Sequence, residues 1–225
     1  MPMKNFFLEN KIAGFVFDMD GVLLDSESVY EKAWRVVSEE IGLSDIDSLH
    51  KKCLGVSKSV VLNMFSEKYG DACDGEFFWK RTSDWSMDFM NKNGVPEKCG
   101  AKIVLDFLKS KKIPVALATS SEKAFAEKLL IKAGLLDFFD AIVFGDEVSN
   151  AKPDPEIYLA SCRKLGLEAK NCVAVEDSPS GIKSANAAGL KCVMVPDRIS
   201  ADDETKKLTW KICGSLLDLK KIMEV

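Results

Sequence analysis

Five short apolar runs recur along the chain, at residues 12–17, 113–118, 141–144, 172–175 and 192–195. They contain many β-branched side chains, which favour strands. Apolar positions are continuous within each run and do not alternate with polar ones, a pattern typical of strands covered on both faces of a parallel sheet. The pattern therefore predicts five buried, parallel strands.

Helical segments separate the later strands. Ser121 can cap a helix over 122–133, and the pair Asp154-Pro155 opens another over 156–165. A third begins after Ser178-Pro179, and a glycine follows each of the three. Alternating strands and helices with short links predict a doubly wound α/β core, with its functional site at the carboxyl ends of the strands.

The stretch between the first and second strands is too long for a single crossover. Helical periodicity covers 27–41, 58–68 and 75–91 within it, whereas 101–108 is predicted to be the crossover helix that leads into the second strand. We therefore predict two domains: an α/β core formed by residues 1–26 and 96–225, and an inserted α-helical cap formed by residues 27–95.

Composition and charge exclude several classes of protein. The 225 residues include 31 Lys and Arg against 35 Asp and Glu, a net charge of −4, with neither sign gathered into a block that would bind nucleic acid or an anionic membrane. No apolar run approaches the ~20 residues of a membrane helix. Without a recognisable secretory signal, we expect a cytoplasmic protein.

The seven cysteines, an odd number with no C-x-x-C pair, are predicted to be reduced. The one histidine, His50, is predicted to be solvated.

Acidic pairs follow two of the predicted strands. Asp18 and Asp20 stand two residues apart where the first strand gives way to a turn containing Gly21, and Glu176-Asp177 follows the fourth strand. Unpaired buried charge is costly, so such acids need a cation, a metal or water as partner. The first pair alone fits an ordinary capped turn equally well. Two adjacent acids repel each other unless a cation lies between them, and hard oxygen ligands favour Mg²⁺.

Two further signals indicate an anion site. Thr119, Ser120 and Ser121 follow the second strand, where hydroxyls and free N–H groups bind anions, although simple helix capping explains them as well. Lys152 lies in a stiff turn beside Pro153, which can direct its ammonium group at a phosphate. All these signals fall at carboxyl ends of strands in one sheet, so we expect them to converge.

The order of these signals along the chain, D-x-D-G, Thr119, Lys152 and then Glu176-Asp177, resembles the four motifs of the haloacid dehalogenase superfamily of phosphatases and mutases over nearly the whole chain. The resemblance implies that Asp18 is the nucleophile and Asp20 the general acid and base. It implies that Thr119 and Lys152 bind the phosphoryl oxygens, with Ser120 and Ser121 beside the substrate. It also implies that Asp18, the Asp20 carbonyl and Asp177 are ligands of a Mg²⁺ ion. Glu176 would either bind the ion directly or support a residue that does.

The predicted cap resembles the helical cap that closes over the site in this family. Asp25 and Ser26 fall at its hinge and are predicted to bind substrate. Trp34 is close enough to the hinge to be predicted to contact substrate as well. The loop from Gly55 to Lys58 resembles the substrate loop of the β-phosphoglucomutase-like branch, although Lys58 stands where arginine is more usual. Tyr30 stands where those mutases have histidine, and we predict that it contacts substrate.

Several functions remain open from sequence. The leading prediction is a phosphatase for a small phosphorylated metabolite such as a sugar phosphate, acting as a monomer or small homo-oligomer. The alternative is a phosphosugar mutase of the β-phosphoglucomutase type. A haloacid dehalogenase needs no acid two residues after its nucleophile, so Asp20 argues against it. A binding module without activity would be expected to lack at least one of the motif acids, and all of them are present.

Overall fold

The computed structural model describes residues 6–54 and 58–224. The chain divides into two compact units, one formed by Met1–Leu24 with Glu97–Val225 and the other by Asp25–Pro96. In chain order the helices are α1 Phe6–Glu9, α2 Ser26–Glu40, α3 Ile46–Cys53, α4 Lys58–Tyr69, α5 Gly75–Asn93, α6 Ala101–Ser110, α7 Lys123–Ala133, α8 Glu156–Leu165, α9 Pro179–Ala187, α10 Asp203–Leu208 and α11 Leu216–Met223.

The first unit is built on one parallel sheet. Its strands are β1 Gly14–Phe17, β2 Val115–Ala118, β3 Ala141–Val143, β4 Cys172–Glu176, β5 Lys191–Met194 and β6 Lys211–Ile212, in the order β3-β2-β1-β4-β5-β6. This confirms the predicted doubly wound α/β core. The short edge strand β6 was not predicted, because its two residues are partly exposed and carry no apolar run.

The central strands are buried on both faces, as their continuous apolar sequences predicted. Phe15 of β1 pairs in register with Val115 of β2 and Val173 of β4. Its ring stacks on the ring of Phe17 on one face of the sheet, with 6.0 Å between the ring centroids. The other face packs against α8 and α9 through Val16, Ala116, Ala174, Tyr158, Cys162 and Ile182. Burial on both sides explains why no polar residue interrupts these strands.

Helix ends follow the predicted signals with one exception. Gly134 and Gly166 end α7 and α8 in the left-handed conformation, and the Ser178 hydroxyl caps α9. Ser121, however, does not cap α7. The helix begins at Lys123, and the Asp146 carboxylate accepts a hydrogen bond from the Lys123 N–H at 3.0 Å. A residue from the loop after β3 thus takes over the predicted capping role of Ser121.

The second unit contains α2 to α5 and has its own apolar core, formed by Trp34, Val37, Ile46, Leu49, Phe65 and Phe78, among others. Helix α3 was not predicted, since its last turn reads as polar sequence. His50 nonetheless lies on the apolar face of α3 with Ile46 and Leu49, is 9% exposed, and contacts the Trp34 ring at 5.0 Å. The prediction of a solvated histidine is therefore wrong.

Two backbone contacts mark where the chain passes between the units. In the second unit the Asp25 N–H donates to the Pro96 carbonyl at 2.8 Å, and in the first the Lys98 N–H donates to the Leu23 carbonyl at 2.9 Å. The two passages thus lie side by side. Across the part of the chain that the structure describes, no helix has both the length and the apolar surface needed to cross a bilayer.

Replacement of Gly145 is predicted to destabilise the first unit. A Cβ at this position would overlap the backbone carbonyl of Ser120, and backbone cannot move aside as a flexible side chain can. We expect Gly145→Ala to lower the free energy of unfolding by about 2–3 kcal/mol, as overpacking does. Gly166→Ala is the matched control, because Gly166 has open space and a positive φ of 69°. It should cost only about 1–2 kcal/mol.

Chemical denaturation of the two variants measures this difference. An equal or smaller effect for Gly145→Ala would contradict the close backbone approach.

Candidate active site

Three neighbouring strands bring the predicted residues to one edge of the sheet. Asp18 follows β1, Thr119 follows β2, and Glu176 ends β4 with Asp177 directly after it. The register pairs Phe17 with both Leu117 and Val175, so the three strands end at the same level. Residues far apart in sequence therefore meet because parallel strands share a carboxyl edge.

Lys152 is the centre of this cluster. Its Nζ donates to Asp18 Oδ1 at 2.6 Å, to Glu176 Oε1 at 2.6 Å and to the Ala118 carbonyl at 3.2 Å. The side chain is 7% exposed. All three ammonium protons thus have acceptors, which is the condition under which a buried charge is tolerated.

The charges in this cluster stabilise one another. Burial alone would lower the pKa of Lys152, but the carboxylates of Asp18 and Glu176 outweigh it and hold that pKa above its ordinary value. Burial would likewise raise the pKa of Glu176, but Lys152 outweighs it and holds that pKa below its ordinary range. Lys152 and Glu176 are therefore a charged pair at neutral pH.

Glu176 is fully engaged by protein donors. Its Oε1 accepts from the Tyr158 hydroxyl at 2.6 Å as well as from Lys152, and its Oε2 accepts from the Ser178 hydroxyl and the Asp177 N–H, both at 3.1 Å. A Cβ at Gly181 would overlap this carboxylate. With both oxygens held in this way, Glu176 is arranged to hold Lys152 in place.

Tyr158 is a site residue that sequence analysis missed. It lies on the apolar face of α8 and is fully buried, with the Lys152 ammonium 5.2 Å from its ring centroid. Burial and the Glu176 charge raise the pKa of Tyr158 well above its ordinary value, so the phenol stays a donor. A tyrosine on the buried face of a helix needs a partner for its hydroxyl, and that was the available signal.

The carboxylates of Asp18, Glu176 and Asp177 can offer oxygen atoms that all lie within 4.8 Å of one another. Burial, partly offset by Lys152 and reinforced by Glu176, raises the pKa of Asp18 to about 7. Burial and then the charges of Glu176 and Asp18 raise the pKa of Asp177 to about 9. Lys152 alone does not neutralise three clustered acids. A hard divalent cation with oxygen ligands fits this donor set.

The predicted phosphate loop lies at the end of β2. Thr119 is fully buried, its N–H donates to the Val143 carbonyl at 3.1 Å, and its Oγ1 accepts from the Ser121 N–H at 3.1 Å. Ser120 is exposed. The Ser121 hydroxyl, predicted to bind substrate, donates to Asp20 Oδ2 at 3.0 Å. The loop is therefore tied to the turn after β1.

That turn depends on Gly21. Its φ is 78°, and a Cβ there would overlap the Asp177 carboxylate, so both the backbone conformation and the space require glycine. This close approach packs the Asp18–Gly21 turn against the end of β4. The glycine of D-x-D-G is thus explained by geometry.

The predicted substrate residues near the hinge lie at the start of α2 in the second unit. Asp25 occupies the N-cap position and Ser26 is buried, while Tyr30 is half-buried one turn later. Their contact with substrate stays a prediction.

The other predicted substrate residues of the second unit divide into three cases. Gly55 lies outside the described residues. Lys58 pairs with Glu76 at 2.9 Å and lies 5.8 Å from the Trp79 ring centroid, and its substrate contact stays a prediction. Trp34 is 5% exposed and packs edge-on against Phe78 in the core of this unit. Its ring therefore contributes to that core, and its substrate contact stays a prediction.

Proteins named as phosphatases are among the relatives that this chain resembles in sequence. The chain is 38% identical over 176 residues to the phosphorylated carbohydrates phosphatase of Thermotoga maritima, covering 78% of this chain and 81% of that protein. It is 33% identical to the fructose-1-phosphate phosphatase YqaB of Escherichia coli, covering 82% of this chain and 97% of that one.

The fold and the motif-bearing region match the same group of proteins. A crystal structure from Thermotoga maritima, provisionally named a β-phosphoglucomutase, superimposes with a TM-score of 0.81 at 33% identity, covering 95% of this chain and all of that one. The family described as haloacid dehalogenase-like hydrolase matches residues 15–195, a range that contains every core motif residue from Asp18 to Asp177. The chain therefore belongs to the haloacid dehalogenase-like hydrolases.

Proposed function

We propose that this protein is a phosphatase for a small phosphorylated metabolite, a sugar phosphate or similar monoester, acting through an aspartyl-phosphate on Asp18. One observation carries the proposal: a buried ammonium group lies 2.6 Å from an Asp18 oxygen, so a carboxylate nucleophile and a phosphate-neutralising cation meet at one point. Relatives named as phosphatases of phosphorylated carbohydrates and of fructose 1-phosphate favour the same substrate class.

The residues divide the chemistry between them. An Asp18 oxygen forms the new bond to phosphorus as the bond to the leaving oxygen breaks, and Lys152 with Thr119 neutralises the transferring phosphoryl oxygens. Asp20 gives a proton to the leaving oxygen. It then takes a proton from the water that attacks the aspartyl-phosphate, which restores Asp18 and releases inorganic phosphate. Glu176 and Tyr158 hold Lys152 in position throughout.

We propose that the site binds Mg²⁺ and that Asp18, Asp177 and the backbone carbonyl of Asp20 are its protein ligands. Glu176 is placed behind this set because protein donors already engage both of its oxygens. When bound, the ion would supply charge neutralisation between a carboxylate nucleophile and an anionic substrate, which otherwise repel each other.

A mutase is the second candidate, favoured by the provisional name of the Thermotoga maritima structure. Tyr30 argues for water as the acceptor. Free phenols titrate at ~10, so a tyrosine is a poorer proton shuttle at neutral pH than an imidazole, although it can bind a sugar hydroxyl. A cytoplasmic location and a monomeric or small homo-oligomeric state stay predictions.

Asp18→Asn tests the nucleophile. The amide is nearly isosteric but cannot attack phosphorus, so we expect turnover to fall by roughly 10³-fold or more while the protein remains folded. Asp106→Asn, an exposed change on α6, is the control and should leave turnover unchanged. Steady-state phosphate release measures both, and near-normal activity of Asp18→Asn would refute the assignment.

Asp177→Asn tests the metal site through stability. The pKa of Asp177 is about 9 in the folded protein, far above its unfolded value of ~3.9, so the folded state holds more protons between these values. Stability of the metal-free protein should therefore fall as pH rises through this window. At pH ~8 without metal, Asp177→Asn should melt at a higher temperature than the parent, because its neutral amide does not need the proton that the Asp177 carboxyl takes up on folding.

Mg²⁺ should raise the melting temperature of the parent and of the exposed control Asp88→Asn, but not of Asp177→Asn. Differential scanning fluorimetry with and without Mg²⁺ measures this. An undiminished Mg²⁺ response in Asp177→Asn would exclude that residue as a ligand.

Incubation with β-glucose 1-phosphate and a trace of the 1,6-bisphosphate separates hydrolase from mutase. We expect inorganic phosphate to form much faster than glucose 6-phosphate, because Tyr30 lacks the proton-transfer capacity of histidine. Coupled assays of the two products provide the measurement. Isomerisation faster than phosphate release would favour the mutase.

A further inference from the structure

We propose that Ser121 is a positioning residue that orients the Asp20 carboxyl group for proton transfer to the leaving oxygen. The inference rests on the proposed function, in which Asp20 is the general acid. Its basis is the hydrogen bond from Ser121 Oγ to Asp20 Oδ2 at 3.0 Å, which joins residues 101 positions apart in sequence.

The Ser121 backbone is fixed on both sides. Its N–H donates to Thr119 Oγ1 at 3.1 Å, and its carbonyl accepts from the Gly145 N–H at 3.0 Å. Gly145 can approach this closely because it has no Cβ; a Cβ at this position would overlap the Ser120 carbonyl. The hydroxyl is therefore presented from a rigid loop, as accurate orientation of a second group requires.

The usual use of a serine at this position is already met by another residue. A serine just before a helix commonly caps it. Here the Asp146 carboxylate accepts a hydrogen bond from the Lys123 N–H at 3.0 Å. The side chain of the N-cap residue, Glu122, makes no capping hydrogen bond. The Ser121 hydroxyl is thereby available to Asp20, and the loop after β3 supplies both the cap and the backbone contact that make this possible.

In the first half of the reaction, the importance of the orientation of Asp20 depends on the leaving group. As the bond from phosphorus to the leaving oxygen breaks, Asp20 donates a proton to that oxygen while Asp18 forms its bond to phosphorus. A poor leaving group needs this proton, whereas a good one departs without it. By donating to Oδ2, Ser121 restrains rotation of the carboxyl and keeps the other oxygen, Oδ1, in a constant direction. Loss of the hydroxyl should therefore slow poor leaving groups selectively.

The experiment compares two aryl phosphates of similar size, p-nitrophenyl phosphate and phenyl phosphate, with saturating Mg²⁺. Values of kcat/KM report the steps up to formation of the phosphoenzyme, which include departure of the leaving group. For Ser121→Ala we expect a fall of roughly 10-fold with phenyl phosphate and less than about 2-fold with p-nitrophenyl phosphate, since general acid catalysis contributes up to about 10²–10⁴-fold. Ser121→Thr keeps the hydroxyl and should restore most of the loss.

Asp20→Asn is the reference for the proposed function. It should show the same leaving-group selectivity at greater magnitude. Equal losses for the two substrates in Asp20→Asn would refute the general acid itself. If Asp20→Asn is selective, the proposal about Ser121 is overturned by either of two results for Ser121→Ala: no loss with phenyl phosphate, or equal losses with both substrates. Equal losses would assign Ser121 to substrate binding or to folding, and thermal melting of each variant separates these two roles.

Discussion

The site depends on one buried cation. The Lys152 ammonium lies between Asp18 and Glu176 at 2.6 Å from each, and the Ala118 carbonyl takes its third proton. Removing one partner from a buried ion pair typically costs about 3–5 kcal/mol, because the other charge is left uncompensated. The proposed function assigns this same ammonium group to the transferring phosphoryl group. Under that proposal, stability and catalysis depend on a single interaction.

Two carboxylates near this cation, those of Glu176 and Asp177, have different surroundings. Glu176 is tied to Tyr158 and Ser178 and serves the lysine. Asp177 has its pKa raised to about 9 by burial and by the neighbouring charges of Glu176 and Asp18. Protein donors engage both oxygens of Glu176, whereas the raised pKa of Asp177 reflects burial beside other acids, which a bound cation would offset. Two adjacent acids at one strand end thus have different surroundings, and their pKa values are shifted in opposite directions.

Close backbone approach joins the loops that carry these groups. Gly21 packs on Asp177, Gly145 on the Ser120 carbonyl and Gly181 on Glu176, and in each case a Cβ would overlap its neighbour. Such contacts leave little freedom for the loops to shift relative to one another. They connect Asp20, Ser121 and Lys152 to a sheet whose central strands are buried on both faces, and this rigidity is what in-line phosphoryl transfer requires.

Local patterns were enough to predict the buried parallel strands, the helix-ending glycines and the positions of Asp18, Thr119, Lys152 and Glu176, because apolar runs and the polar residues that follow them are visible in a short stretch of chain. The inserted helical segment was also readable from periodicity, although α3 was not. Contacts between segments that are distant along the chain could not be predicted in this way. Tyr158 reaches Glu176 from a neighbouring helix, Asp146 replaces Ser121 as the cap of α7, and His50 joins the apolar core of the second unit. Each depends on which side chains packing brings within hydrogen-bond or van der Waals distance, and spacing along the chain does not encode that distance.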